Sequence, residues 1–285
     1  MTDKERKMML SKLLSKKQIA ALVILLSLAT IGTSFEFQSF IYTRAKTETY
    51  LVTLVSILLL AIYVIPYLFL IQHFRKKWEI SLQAWFTMLI FALFSEGWLA
   101  GYGNEFVSRT VWYHILPKSI YKAWESALSA PFVEESLKLL VALLLMLLIG
   151  IWNKRAAFLT GFTVGLGFQF MEDIAYILES SLSSKHGDLT IAFERISGAF
   201  SSHAFYTSIV TLGWYLLLSK TSKLPKAKIY LYAVGPLLLH ILWNSPLWDT
   251  WLLGQFSVFG ILNSIILVLI FLDAITYVDS KNQVM

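Results

Sequence analysis

The number of long apolar runs constrains the fold of this chain more than any other feature. A membrane-spanning helix needs about 20 mainly apolar residues, and about eight segments meet that requirement. They lie at residues 18–41, 50–72, 80–101, 126–150, 156–181, 193–218, 227–247 and 254–277. Strands are disfavoured because the runs are too long and lack period-two alternation. The sequence therefore predicts an all-α, polytopic membrane helix bundle of about eight transmembrane helices.

The composition supports this prediction. The chain is 57% hydrophobic and its mean hydropathy is +0.65, well outside the range of soluble domains. The eight segments leave little chain for a separate soluble unit, so we expect residues 1–285 to form a single integral membrane domain. The chain has no cysteine, which excludes disulfides, thiol nucleophiles and thiolate metal sites.

The distribution of basic residues predicts an orientation in the membrane. Lysine and arginine cluster beside alternate helix ends, at residues 4–17, 75–77, 154–155 and 220–228. The positive-inside rule then places both termini in the cytoplasm, with residues 1–17 as a basic cytoplasmic tail. The net charge of +6 indicates contact with lipid headgroups. We expect the lipid bilayer as a partner and no nucleic acid.

Ionisable side chains are concentrated in predicted spans four to seven. A charged side chain at mid-membrane costs about 2.5–3.5 kcal/mol, so these groups must face the bundle interior, a wet cavity or one another. The residues are Glu134, Glu135 and Lys138 in span four, Glu172 and Asp173 in span five, His203 in span six, and His240 and Asn244 in span seven.

Their depth in the membrane is the stronger argument that they meet. With cytoplasmic termini, Glu134, Glu172, His203 and His240 each lie about seven to ten residues from the outer end of their span. At 1.5 Å per residue, all four lie roughly 10–15 Å below the outer surface. Four helices thus bring ionisable groups to one level, as a shared site requires.

Three kinds of chemistry fit two histidines and carboxylates at one depth. A glutamate can activate water with the histidines as hydrogen-bond partners, a divalent metal can hold the attacking water, or the groups can relay protons. Several protease signatures are absent. There is no H-E-x-x-H pair and no G-x-S-x-G serine, and "GLGF" at 165–168 has phenylalanine where an aspartyl enzyme needs aspartate. For an enzyme, the glutamate/histidine scheme remains.

Four motifs in order resemble a known family. They are "EESLK" at 134–138, "FQFMEDIAY" at 168–176, "HAFYT" at 203–207 and "HILWN" at 240–244. Together they resemble the PrsW family of bacterial intramembrane proteases, a branch of the superfamily that contains CAAX-type prenyl endopeptidases and the gamma-secretase subunit APH-1. The resemblance covers about residues 126–247, which we take as the catalytic core.

The resemblance implies proteolysis of a membrane-anchored protein or peptide, such as an anti-sigma factor, near the extracytoplasmic side of a bacterial plasma membrane. It implies that Glu134 is the general base and that Glu135 orients it or shares its proton. His203 and His240 would bind the water or stabilise the oxyanion, and Asn244 would donate a hydrogen bond. Glu172 would support the water, or join His203 and His240 as ligands of a zinc-like metal. Lys138 has a supporting role.

Some alternatives stay open. The cofactor is either none or one divalent metal, and the lack of a compact ligand motif slightly favours a bare water. Asp173 stands where the family is expected to carry asparagine. A non-catalytic assembly subunit of the APH-1 type and a proton-coupled transporter are the rival functions, the latter disfavoured by the lack of an inverted repeat. Segment 102–125 is expected to be a connection that anchors at the interface or acts as a lid.

Overall fold

The computed structural model describes residues 14–41, 47–183, 189–201, 203–220, 222–249, 251–252 and 256–280. These residues are almost entirely helical, which confirms the predicted all-α class. Within the described ranges, the strand structure is a two-residue ladder in which Trp251–Leu252 (β1) runs antiparallel to Phe256–Ser257 (β2). Residues 1–13 of the predicted basic tail lie outside the described residues.

The outer helices expose apolar side chains. They are α1 (Lys16–Ile41), α2 (Thr47–Leu59), α3 (Ala61–Lys77) and, at the other end of the chain, α12 (Val258–Asp279). Among the described residues, four helical stretches are long and apolar enough to cross a membrane: Lys16–Glu36, Thr47–Lys77, Leu82–Ile115 and Val258–Asp279. Phe69 is 72% exposed, as a lipid-facing side chain would be. The protein is a membrane protein, and the full number of eight spans stays a prediction.

The segment between predicted spans three and four is helical. Ser81 caps α4 (Leu82–Phe94), and after a bend at residues 95–96 the chain continues as α5 (Gly97–Val107). A π-helical turn (Ser108–Trp112) and α6 (Tyr113–Ile115) follow. Helix α7 (Lys118–Ile149) begins before residue 126, the predicted start of span four. Residues 118–125 of the expected connection are therefore part of α7, and the preceding residues pack against this helix, where Trp112 Nε1 donates to the Leu128 carbonyl at 2.9 Å.

Helix α8 (Lys154–Ser183) is the central helix of the bundle. It packs against α4, α7 and the helix that begins at His203, and almost all of its residues from 156 to 169 are buried. Glycine makes this packing possible. A Cβ atom at Gly165 would lie 2.2 Å from the carbonyl oxygen of His203, so the two backbones touch where a side chain cannot fit.

Predicted span six is not one helix. It divides into α9 (Thr190–Gly198), a 3₁₀ turn (Ala199–Ser201) and α10 (His203–Ser219), so the prediction of a continuous helix over 193–218 was wrong. Neighbouring elements satisfy polar groups at the break, since the Tyr67 hydroxyl donates to the Ala199 carbonyl at 2.8 Å. His203 consequently starts a helix instead of lying in the middle of one.

Helix α11 (Lys226–Trp243) returns toward the same level and contains Pro236. His240 lies in its last turn, and a 3₁₀ turn (Pro246–Asp249) follows. The bundle therefore brings the start of α10 and the end of α11 beside the middle of α7.

We predict that Gly165→Ala destabilises the protein, because its methyl group would collide with the backbone of α10. Overpacking of this kind costs about 1–3 kcal/mol. The melting temperature in detergent should fall by several degrees, measured by intrinsic fluorescence. Gly97→Ala is the matched control, since no described heavy atom lies within 4 Å of the Cβ position there. Equal melting temperatures for the two variants would contradict the close approach of α8 and α10.

Candidate active site

Helix α7 directs three ionisable side chains to one buried point. Residues three and four apart share a helix face, so both glutamates can meet Lys138. The Lys138 Nζ atom lies 2.6 Å from Glu135 Oε1 and 3.7 Å from Glu134 Oε2. It also lies 4.2 Å from the ring centroid of Phe168 on α8. Lys138 is completely buried, and these neighbours balance its charge.

Glu135 binds partners through both of its oxygens. Besides the ion pair with Lys138, its Oε1 atom lies 3.2 Å from His240 Nδ1. Its Oε2 atom accepts a hydrogen bond from the Thr207 hydroxyl at 3.1 Å. Since an ionised carboxylate can only accept, His240 carries its proton on Nδ1 and leaves the lone pair of Nε2 free. Glu135 therefore joins α7, α10 and α11 and orients His240.

The two carboxylate oxygens of Glu134 differ in their hydrogen bonding. The Asn104 amide on α5 donates to Oε1 at 3.0 Å. Oε2 is buried and has no hydrogen-bond partner among the described residues. Three basic nitrogens lie somewhat farther away: Lys138 Nζ at 3.7 Å, His240 Nε2 at 3.9 Å and His203 Nδ1 at 4.0 Å. Glu134 thus presents an available acceptor inside the bundle.

His203 is held between two charged groups. Its Nδ1 atom lies 2.8 Å from Lys138 Nζ, and its Nε2 atom lies 3.2 Å from Glu172 Oε2. Because an ammonium group can only donate, Nδ1 accepts and the ring proton is on Nε2, which donates to Glu172. The lone pair of His203 Nδ1 thus faces the same space as Glu134 Oε2 and His240 Nε2.

An arginine on α9 positions the acidic residues of α8. The Arg195 guanidinium forms ion pairs with both Glu172 and Asp173. Asp173 also accepts a hydrogen bond from the Tyr63 hydroxyl at 2.8 Å, and the Arg195 guanidinium carbon lies 4.6 Å from the Tyr176 ring centroid. Arg195 therefore compensates two adjacent carboxylates and connects α9 to the residue that orients His203.

Glu134, His203 and His240 form a group that could hold a metal ion. Each offers one ligand atom, and these atoms all lie within 4.8 Å of one another. Ligand atoms of a tetrahedral zinc ion lie roughly 3.3 Å apart, so the three side chains would have to move closer together to hold one. Each histidine donates its other ring N–H to a carboxylate, which is the usual outer-shell arrangement of metal-binding histidines. The buried Glu134 oxygen, which has no hydrogen-bond partner among the described residues, and the His240 Nε2 lone pair fit a divalent cation, whereas His203 Nδ1 would first have to give up its contact with Lys138 Nζ.

This compact group differs in one member from the predicted metal set of His203, His240 and Glu172. Glu134 takes the place of Glu172, whose carboxylate binds Arg195 and His203 Nε2 instead. Asn244, the remaining predicted site residue, lies at the end of α11. It caps α11, its backbone N–H donates to the His240 carbonyl at 3.1 Å, and it borders the same cavity.

The site opens into a cavity of about 1830 Å³ between α5, α7, α8, α9 and α12. Glu134, Glu172, His203 and His240 all border it. The Tyr206 ring stacks on His240 with a centroid distance of 5.0 Å and an angle of 6° between the planes. Asn263 donates to the Tyr206 hydroxyl at 3.1 Å. A substrate would therefore reach the site through this cavity, next to the Tyr206 ring.

Sequence reasoning missed two residues that position the site. Asn104 was assigned to the connecting segment, although Gly97, Gly101 and Asn104 have helical spacing, which could have indicated a polar face. Arg195 falls inside predicted span six, near its start. A lone arginine at the edge of a span needs a carboxylate partner, and Glu172 and Asp173 were the available candidates.

A buried glutamate and two histidines that border a cavity within an apolar helix bundle define a candidate site for hydrolysis inside the membrane. A family model described as PrsW family intramembrane metalloprotease matches residues 78–273, well over half of the chain. The chain belongs to the PrsW family of intramembrane metalloproteases. Comparisons with curated proteins and with solved structures give no significant match.

We predict that Arg195→Leu destabilises the protein more than Arg195→Lys does. Removing one partner of a buried ion pair costs about 3 kcal/mol, because the remaining carboxylates are left uncompensated. Lysine retains the charge but cannot bind two carboxylates in a fixed fork. The melting temperature measured in detergent should be highest for the wild type, lower for Arg195→Lys and lowest for Arg195→Leu. Equal stability of all three would contradict the ion pairs with Glu172 and Asp173.

Proposed function

We propose that this protein is an endopeptidase that hydrolyses peptide bonds of membrane-anchored proteins or peptides in the bacterial plasma membrane. It crosses the membrane several times, with both termini in the cytoplasm, and cuts near the extracytoplasmic side. Substrates resemble anti-sigma factors or peptide precursors. The observation that carries the proposal is Glu134 Oε2, a buried carboxylate oxygen without a hydrogen-bond partner in the described part of the chain. It lies 3.9 Å from His240 Nε2 and 4.0 Å from His203 Nδ1, at the edge of the cavity.

The residues of the site are suited to a divalent metal. Glu134, His203 and His240 would hold it, and the donor set of two imidazoles and one carboxylate is typical of catalytic zinc. A zinc-like ion supplies a water of lowered pKa and polarises the peptide carbonyl. Family membership supports this form of the proposal, since the family is described as metalloproteases.

The chain's own residues hold and orient the reacting groups. Asn104 fixes Glu134 so that Oε2 faces the cavity, Glu135 fixes His240, and Glu172 fixes His203. Lys138 lowers the electrostatic cost of placing adjacent carboxylates in a low-dielectric interior. Asn244, at the cavity edge, donates to the substrate carbonyl. The positioning residues are held by partners of their own, so little reorganisation is needed during reaction.

One observation favours a second form of the same activity. Lys138 Nζ lies 2.8 Å from His203 Nδ1, so a positive charge already occupies part of the space between the ligand atoms. In this form Glu134 is the general base, takes a proton from a bare water and returns it to the leaving amine. His240 Nε2 then accepts a hydrogen bond from that water. Glu134 is essential in both forms.

We predict that Glu134→Gln abolishes cleavage of a reconstituted single-span substrate, because glutamine can neither accept the proton nor bind a metal as an anion. The rate should fall by about 10²–10⁴-fold. Glu179→Gln, an exposed glutamate near the end of α8, is the matched control and should retain wild-type activity. Electrophoresis of the cleaved product measures both. Undiminished cleavage by Glu134→Gln would exclude the proposed site.

We predict that dialysis against a chelator abolishes cleavage and that stoichiometric zinc restores it. The reason is that Glu134, His203 and His240 cannot polarise the peptide carbonyl without the metal ion that they would hold. Product formation is measured before dialysis, after dialysis and after addition of zinc. Full activity after removal of metal to below a tenth of an equivalent would contradict the metal form and favour the bare water.

A further inference from the structure

Tyr176 lies one helical turn beyond Glu172 on α8, in the wall of the cavity. Both residues border the cavity, and side chains four residues apart share a helix face. Tyr176 is 44% exposed, and its hydroxyl has no hydrogen-bond partner among the described residues. The cavity wall next to the site therefore carries an unused O–H group.

Contacts in series connect the Tyr176 ring to the site. The Arg195 guanidinium carbon lies 4.6 Å from the ring centroid, and the same guanidinium is paired with Glu172. Glu172 Oε2 in turn lies 3.2 Å from His203 Nε2. Side chains on a helix lean toward its N-terminus, so the ring extends back over the turn that carries Glu172. The ring is thus directed toward the site.

The phenol group also lies within the electrostatic influence of α7. It interacts with the charges of Glu172 and of Glu134. These two carboxylates belong to different helices and lie on opposite sides of His203, at 3.2 Å from Nε2 and 4.0 Å from Nδ1 respectively. The Tyr176 phenol is therefore near the place where the two helices present their carboxylates to this histidine.

The other tyrosines that border the cavity are placed differently. The hydroxyls of Tyr121 and Tyr206 are already hydrogen-bonded. Tyr102 packs against Phe35 of α1, with 5.9 Å between the ring centroids. Within the described ranges, Tyr176 is the cavity tyrosine that combines an unused hydroxyl with proximity to the carboxylates of the site.

The hydrogen-bond donors of the site are already engaged within it. His240 donates from Nδ1 to Glu135, and His203 donates from Nε2 to Glu172. The Lys138 ammonium lies 2.6 Å from Glu135 and 2.8 Å from His203. Attack of water on a peptide carbonyl places negative charge on the carbonyl oxygen, which is stabilised by donors that are in position beforehand. Such a donor must therefore come from the cavity wall.

We propose that the Tyr176 hydroxyl is a further catalytic group, which donates a hydrogen bond to the oxyanion formed when water attacks the peptide carbonyl. The inference rests on the proposed function. A tyrosine hydroxyl carries its proton at neutral pH and is both donor and acceptor. It supplies a second hydrogen bond to the carbonyl oxygen besides that of Asn244. Stacking on Arg195 holds the ring in place, so the donor needs little reorganisation.

The proposed step balances without a further reactant. The water oxygen forms a bond to the carbonyl carbon, and the π electron pair moves onto the carbonyl oxygen. Tyr176 shares its proton with that oxygen and keeps it. A carboxylate of the site takes the proton of the water. When the C–N bond breaks, the electron pair returns to the carbonyl and the amine leaves with the proton that the carboxylate held.

Tyr176→Phe tests the proposal, because phenylalanine keeps the ring that stacks on Arg195 and loses the hydroxyl alone. With a reconstituted single-span substrate, kcat should fall about 100-fold at unchanged KM, since the lost hydrogen bond forms only in the transition state. The melting temperature should stay at the wild-type value. Tyr230→Phe, at an exposed tyrosine of α11 outside the cavity lining, should change neither constant. An unchanged kcat in Tyr176→Phe, or a rise in KM alone, would overturn the proposal.

A binding measurement separates this proposal from the proposed function, because it needs no hydrolysis. The probes are single-span Leu/Ala peptides with a central Gly–Gly break, in which each bond of the break is replaced in turn by a phosphinate or by a ketomethylene group. The phosphinate imitates the tetrahedral oxyanion, and the ketomethylene group imitates the uncharged carbonyl. The Kd of the best phosphinate should rise about tenfold in Tyr176→Phe, and the Kd of its ketomethylene counterpart should not change.

The outcomes of the two measurements are distinguishable. Phosphinate binding that depends on Tyr176, in a wild type that cleaves no substrate, would refute the proposed function alone. Cleavage by the wild type with equal phosphinate affinity in Tyr176→Phe would refute the role of Tyr176 alone. A wild type that neither cleaves nor prefers the phosphinate over the ketomethylene peptide would refute both.

Discussion

The ion pair between Lys138 and Glu135 is the interaction on which the rest of the site depends. Its two members lie one turn apart on α7 at 2.6 Å, fully enclosed by the bundle. In a low-dielectric interior neither charge would be tolerated alone. The pair also occupies the hydrogen-bonding capacity of Glu135, which leaves its neighbour Glu134 as the carboxylate with an available oxygen. Two adjacent glutamates thus acquire different roles because only one of them is paired closely with the lysine.

The packing of the helices brings the start of α10 and the end of α11 next to that ion pair. Glycine at position 165 lets α8 touch the backbone of α10 at His203, and the break before α10 turns this histidine toward α7. His240 approaches from the last turn of α11 and binds Glu135. Each histidine then has one nitrogen fixed by a carboxylate and one nitrogen facing Glu134.

The sequence predicted the helical class and the set of residues that meet, because ionisable groups inside apolar helices must find one another. It did not predict how they pair. The break in span six depends on partners for the freed backbone, such as Tyr67, which lie far away in sequence. The contact of Asn104 with Glu134 depends on α5 folding against α7, and aromatic residues at 102–125 resembled an interfacial loop. The ion pair between Arg195 and Glu172 likewise depends on the position of α9, which cannot be predicted from hydropathy.

The central claim is that Glu134, His203 and His240 present three convergent ligand atoms to a cation. X-ray absorption spectroscopy of the purified protein loaded with one equivalent of zinc tests it most directly. The account predicts a first shell with two imidazole nitrogens and oxygen ligands at about 2.0–2.2 Å, and the loss of one imidazole in His240→Ala. A zinc spectrum without imidazole scattering, or one that His240→Ala leaves unchanged, would contradict the account.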